Sequence, residues 1–234
     1  MMINKTLGTN GSNRPTVASF FSGAGGMDIG FAAAGFNIAA CMDLELWACD
    51  TLRANLQQTK IIGPPKFSGD IKNISPQEFQ NLTGFAPQQI DVFTGGPPCQ
   101  PFSQAATQRF LKGDNRFKRK GFDNFEKGTL LFDYIEYIKF FLPKVFLLEN
   151  VPGLLTMDNG VQLKAALTEL RALGYRHTKP EVLKAVDYGV PQHRNRLIVW
   201  GVLSTEVSPK LPMPTHGGGL FLRDYNTVAQ ALYN

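Results

Sequence analysis

The chain has 234 residues, 43% of them hydrophobic, with a formal net charge of +5. That length admits one sizeable α/β domain rather than two, and with no run of about 18 apolar residues a membrane-spanning helix is not expected. Cys41, Cys49 and Cys99 are odd in number and lack C-x-x-C spacing, which speaks against a disulfide framework or a zinc site and for a reducing compartment, so a soluble, cytoplasmic protein is expected.

Residues 1–14 are polar and Asn/Gly-rich and read as a disordered tail before a single domain, 15–234. Residues 15–21 form an apolar run that predicts a buried first strand. It ends in Ser22-Gly23-Ala24-Gly25-Gly26, and a helix over 27–34 follows, terminated by Gly35. Strand, glycine turn and helix together make a nucleotide-binding opening. A second strand, 37–42, delivers Asp43 to its tip, and a helix over 45–57 comes next. Asp43 stands about 20 residues after the glycines, where a carboxylate meets ribose hydroxyls in such folds. Gly69-Asp70-Ile71 places a further carboxylate near Lys66.

The run 90–93 predicts a strand that stops in Gly95-Gly96-Pro97-Pro98-Cys99-Gln100-Pro101-Phe102-Ser103. Two prolines fix φ before the thiol and two glycines allow close backbone approach, a construction suited to presenting a nucleophile. Taken alone, such a loop more often holds a buried, inert cysteine. Residues 104–128 then carry seven basic side chains against three acids, a surplus of four of the chain's five net charges. Beside Cys99, that loop reads as an arm for a polyanion, and Gly113, Gly121 and Gly128 suit a segment that moves. Thr129 is expected to cap a helix over 130–141, whose end Pro143 marks. An apolar strand over 144–150 carries Glu149 near its tip. Leu163, Ala166, Leu167, Leu170 and Leu173 keep helical spacing and read as core, and 181–185 and 196–202 supply the last strands. Alternating strands and helices predict an α/β fold with a mostly parallel sheet flanked by helices, whose ligands collect at the carboxyl ends of the strands. The glycine turn, Asp43, Cys99 and Glu149 all fall on that rim.

Phe21-Ser22-Gly23-Ala24-Gly25-Gly26, Pro97-Pro98-Cys99-Gln100, Glu149-Asn150-Val151 and Gln192-His193-Arg194-Asn195-Arg196, in this order and spacing, resemble the motifs of the DNA (cytosine-5) methyltransferases. The resemblance implies the Rossmann-like fold of S-adenosylmethionine-dependent methyltransferases. It places S-adenosyl-L-methionine over the glycine turn, with Asp43 on its ribose hydroxyls and Asp70 on the adenine amino group. Phe21, Gly23, Gly25, Gly26, Ile71 and Leu130 complete the implied cofactor contacts. It also implies the chemistry. Cytosine C5 is too poor a nucleophile to take a methyl group directly, so the Cys99 thiolate adds to C6, Glu149 holds or donates a proton at N3, and the activated C5 is methylated before the thiol leaves. The base that removes the C5 proton is not legible. Arg196 matches the family's arginine at the target base and nearby phosphate. Arg194, two residues away, is expected on the same strand face, and both arginines also read as surface cations on an edge strand. A stacked cytosine is out of reach of the rim, so double-stranded DNA must yield a flipped-out base, over which the basic loop closes.

After residue 202 only 32 residues remain, with Pro209, Pro212, Pro214 and three successive glycines, Gly217, Gly218 and Gly219. No base-reading domain or closing helix of the family is legible there. The chain therefore resembles either the catalytic (alpha) subunit of a split restriction-modification enzyme, completed by a second polypeptide that carries target recognition, or a truncated form of such an enzyme. A tRNA-directed relative and a non-catalytic nucleic-acid-binding homologue are the alternatives, and the intact Cys99 and Glu149 argue against the latter.

Overall fold

In the computed structural model, which describes residues 14–98, 129–203 and 210–233, the first strand is β1 (Thr16–Phe20). It pairs in parallel with β2 (Asn37–Met42) on one side and β4 (Val92–Gly95) on the other. β3 (Lys60–Ile62) joins β2, and β5 (Val145–Asn150) joins β4, again in parallel. β7 (Asn195–Val202) runs antiparallel between β5 and β6 (Glu181–Lys184). The order is β3-β2-β1-β4-β5-β7-β6, a seven-stranded sheet of the expected α/β class with one reversed strand.

The central strands read as nearly unbroken apolar runs because helices cover both faces. Side-chain alternation along β1 divides the core in two. Val17 joins Ile38, Cys41, Leu52 and Val92 on the face covered by α1 (Gly26–Ala33) and α2 (Leu46–Asn55). Ala18 and Phe20 face the larger core under α3 (Pro76–Thr83), α4 (Thr129–Phe141) and α5 (Val161–Ala172). Phe20 is the hub of that side, with the rings of Phe79, Phe93, Tyr134 and Tyr137 centred 5.0–5.5 Å from its own. The buried phenols are satisfied: Tyr134 Oη donates to the Leu147 carbonyl at 3.1 Å, and Tyr137 Oη donates to that of Ile74. A short α6 (Val228–Tyr233) lies near the C-terminus. Among the described residues no helix is long and apolar enough to cross a membrane.

Several sequence expectations shift here. The strand expected over 90–93 lies at Val92–Gly95, because Ile90 and Asp91 precede the pairing register with β1. Thr129, expected as a cap, is the first residue of α4. Arg194 falls before β7 begins, so it does not share a strand face with Arg196. Three elements, β3, α3 and α6, went unread. β3 is only three residues long, below the length at which alternation is visible. The start of α3 was legible in principle, since Ser75 Oγ accepts the Glu78 N–H at 3.1 Å and Pro76 occupies the first turn.

Asp28, in the first turn of α1, is fully buried and, among the described residues, both its carboxylate oxygens lack a hydrogen-bond partner. Burial pushes its carboxyl above the usual range, opposed by the nearby Ser19 hydroxyl and Cys41 thiol, although neither reaches hydrogen-bonding geometry. The folded chain therefore keeps a proton that the unfolded chain releases. The stability this contributes is complete below the ordinary carboxylate value and is lost as pH rises through the raised one. Urea unfolding of the protein and of Asp28→Asn across pH 4 to 8 should show the variant gaining on the wild type with rising pH, by no more than about 1.4 kcal/mol per pH unit. A difference that stays flat with pH overturns this account.

Candidate active site

The carboxyl ends of β1 and β2 carry the first half of the site. Phe21 leaves β1 with φ of 55°, a left-handed conformation that is costly for a residue with a Cβ and that turns the chain out of the sheet. Gly23 and Gly25 continue the turn at φ of 54° and 84°. A Cβ on Gly25 would stand 2.9 Å from Leu52 Cδ2, whereas nothing lies within 4 Å of a Cβ position on Gly23, so the turn is packed beneath and open above. Gly26 begins α1.

Asp43 ties this turn to its neighbours. Its Oδ2 accepts the Gly23 N–H at 2.7 Å and its Oδ1 accepts the Glu45 N–H at 2.9 Å, at the start of α2. Its main-chain carbonyl accepts from Cys49 Sγ at 3.3 Å. The same carbonyl is enclosed by two glycines. A Cβ on Gly63 would meet it at 2.4 Å and one on Gly69 at 1.9 Å. Gly69, at φ of 70°, thereby brings Asp70 and Ile71 to the edge of the Asp43 turn. Asp70 accepts the Lys72 N–H at 3.0 Å and the Asn73 side-chain amide at 3.1 Å, while Ile71 is buried. Phe21 and Leu130 are half-buried against one core. The structure thus brings together Phe21, Gly23, Gly25, Gly26, Asp43, Asp70 and Ile71, while Leu130 packs against the same core cluster as Phe21. S-adenosylmethionine fits this donor set: each Asp43 oxygen has accepted one N–H, which leaves lone pairs for hydroxyl donors, and the turn is clear above Gly23.

The second half lies at the ends of β4, β5 and β7. Glu149 pairs with Ile198 across the antiparallel β5–β7 ladder, so Arg196 is its diagonal neighbour on the same face. Arg196 Nε lies 2.5 Å from Glu149 Oε1, with the two side chains 26% and 27% exposed. Gly96 backs the other oxygen, since a Cβ there would lie 3.2 Å from Glu149 Oε2. Asn150, quoted in the sequence only as part of a motif, has a role of its own. Its side-chain amide donates to the Pro97 carbonyl at 2.9 Å in a buried hydrogen bond, and its Oδ1 accepts the Val151 N–H at 2.8 Å. The adjoining Glu149 was the signal that could have found it. Arg194 is exposed and takes no part in the ion pair. Cys99 and the basic loop 104–128 lie outside the described residues.

Cys41 and Cys49 are buried free thiols. Burial pushes both upward, aided at Cys41 by Asp28 and at Cys49 by Asp43, so neither forms the thiolate that nucleophilic chemistry needs.

Comparison with known proteins bears on the family and the fold. The profile of the C-5 cytosine-specific DNA methylases matches residues 16–217. Type II methyltransferase M.AquIA of Picosynechococcus sp. is 36% identical over 231 residues, covering 92% of this chain and 86% of its own length. Type II methyltransferase M.NgoFVII of Neisseria gonorrhoeae is 33% identical over 238 residues, covering all of this chain but 57% of its own. A crystal structure described as a DNA modification methyltransferase encoded within an E. coli prophage superposes with a TM-score of 0.71 at 26% identity, over 94% of this chain and 54% of that one. This chain therefore spans little more than half the length of the latter two.

Gly69→Ala should cost about 2 kcal/mol or more in urea unfolding, since a methyl group there needs both left-handed backbone and the space of the Asp43 carbonyl. Gly23→Ala, with open space around it, should cost less. Equal losses would remove the packing argument.

Proposed function

Because the chain belongs to the C-5 cytosine-specific DNA methylases, we propose that it is the methyl-transferring part of a DNA (cytosine-5) methyltransferase in a type II setting like that of its relatives. The observation that carries this reading is the Glu149–Arg196 pair, held by the β5–β7 ladder beside the turn that leads into Cys99. When bound, S-adenosylmethionine supplies an electrophilic methyl carbon. Phe21, Gly23, Gly25, Gly26, Asp43, Asp70, Ile71 and Leu130 hold it on the rim.

The protein's own groups do the rest. The Cys99 thiolate adds to C6 of a flipped-out cytosine, the ring electrons move towards N3, and Glu149 holds the proton there. C5, now enamine-like, takes the methyl group. A base then removes the C5 proton, and the C6–sulfur electron pair returns as the thiolate leaves. Arg196 fixes the rotamer of Glu149 with one donor of its fork, which leaves further donors for the base or a phosphate. Asn150, by pinning the Pro97 carbonyl, sets the direction in which the chain enters Cys99. The basic residues of 104–128 meet the DNA backbone.

Target recognition is assigned to a second polypeptide. The segment from Met213 to Tyr233 supports it, since Leu220, Phe221, Leu232 and Tyr233 are strongly exposed, an apolar surface of the kind a partner covers.

In the completed enzyme, Cys99→Ser should retain DNA and cofactor binding yet lose methyl transfer, and 5-fluorocytosine in duplex DNA should trap a covalent adduct only with the cysteine present. Normal turnover by Cys99→Ser overturns the nucleophile. The purified chain by itself should bind duplexes weakly, without sequence preference and with a steep salt dependence, and should not methylate them. Robust sequence-specific methylation by the chain alone overturns the split reading while leaving the chemistry intact.

A further inference from the structure

The opposite edge of the sheet carries a second concentration of charge. α5 ends at Ala172, and the chain returns to β6 through a turn whose residues line an open pocket of about 510 Å³. Arg171, Arg176, His177 and Lys179 surround it, and Tyr175 and Thr178 form its buried floor. No acid occurs in residues 171–179. Among the described residues, no carboxylate lies within 4.0 Å of any of these four cations or imidazole. β7 ends at this edge, where Val202 exchanges hydrogen bonds with Arg176 at 2.9 and 3.1 Å. The six residues of β5 separate the two edges by roughly 17 Å at about 3.3 Å per residue, so this pocket is not an extension of the catalytic rim.

We propose that this pocket is a second phosphate-binding site. Unpaired cations on a surface usually sway in solvent, but here the frame that bears them is held. Arg171 Nε donates to Thr178 Oγ1 at 2.7 Å and its Nη2 to the Thr178 carbonyl at 3.3 Å, which closes the turn and leaves guanidinium donors over. His177 adopts φ of 60°, and its carbonyl accepts the Lys179 N–H at 2.8 Å. Beneath them, Tyr175 donates to the Pro143 carbonyl at 2.7 Å and packs its ring 5.0 Å from that of Phe146. Among the described residues, the main-chain N–H groups of His177 and Thr178 have no protein acceptor, although Thr178 is only 4% exposed. Two free amides set among four positive or protonatable groups, without a carboxylate to neutralise them, form a receptor for a compact, multiply charged oxyanion. The ligand chemistry is phosphate, as a free phosphate compound or as the backbone of a DNA segment other than the one engaged at the rim.

The chain has three histidines, so the His177 ring is a resolvable local reporter by NMR. Titration with inorganic pyrophosphate at fixed ionic strength should move its resonances along a saturating curve. R176E/K179E should weaken that response at least tenfold without lowering the melting temperature, since both side chains are exposed. K164E/K210E, which makes the same change in net charge at exposed positions elsewhere, should leave it intact. A short duplex that produces the same shift identifies a DNA backbone as the source, and a response to pyrophosphate alone identifies a free phosphate compound. A His177 ring that does not respond, responds without saturation, or responds alike in R176E/K179E overturns the site. None of these readouts depends on methyl transfer.

Discussion

Two hydrogen bonds to one carboxylate hold the glycine-turn side of this protein in register. Asp43 accepts the Gly23 N–H through one oxygen and the Glu45 N–H through the other, so the end of β2, the glycine turn after β1 and the start of α2 share a single anchor. The carbonyl of the same residue organises its other side, where Gly63 and Gly69 approach so closely that no Cβ fits. A carboxylate bonded to backbone amides is a stronger acceptor than a neutral side chain, and its position is set by main chain rather than by mobile side chains. That rigidity matters because a binding group held within a fraction of an ångström loses little freedom when its ligand arrives.

The side that carries Glu149 depends on a reversal. In a parallel β7, Arg196, the second residue of its strand, would fall at the amino end of the sheet, away from Glu149. β7 instead runs antiparallel to β5, and that ladder makes Arg196 the diagonal neighbour of the acid. Gly96, at the end of β4, leaves room for the second carboxylate oxygen, and Asn150 binds the Pro97 carbonyl. Three strand ends therefore converge on one acid through backbone pairing and one buried amide.

The two ends of the strands differ in charge. The carboxyl end carries Asp43, Asp70 and Glu149, each with a described donor, and Arg196 as the partner of Glu149. At the amino end Asp91 is paired with Lys144, whereas the pocket lined by Arg171, Arg176, His177 and Lys179 has no carboxylate in its lining. The buried thiols Cys41 and Cys49 and the buried Asp28 sit between glycine turn and core, where loss of hydration disfavours their charged forms and pushes all three upward.

Local chemistry made much of this legible beforehand. Apolar runs flanked by glycine or proline announced β1, β2, β5 and β7, because strands buried on both faces cannot vary much in polarity. Phe21 to Gly26 announced a turn, because only glycines reach its dihedral angles cheaply. Motif order singled out Asp43, Asp70, Glu149 and Arg196 as candidates. Pairing was another matter. Nothing local says that β7 reverses, that Arg196 touches Glu149, or that Gly63 and Gly69 close on one carbonyl, since each of these is a contact between residues 20 to more than 40 positions apart. β3 escaped notice because its three residues make sense only against β2. Asn150 looked like part of a motif until Pro97 stood 2.9 Å from its amide. The basic pocket was invisible for the same reason: Arg171 belongs to a helix, Lys179 precedes a strand, and only the fold of the turn between them, fastened to Val202, sets their charges around one space. Sequence determined which residues could do chemistry, through their types and local dihedral preferences. Tertiary structure decided which of them meet, because contact between distant segments is settled by the register of the sheet.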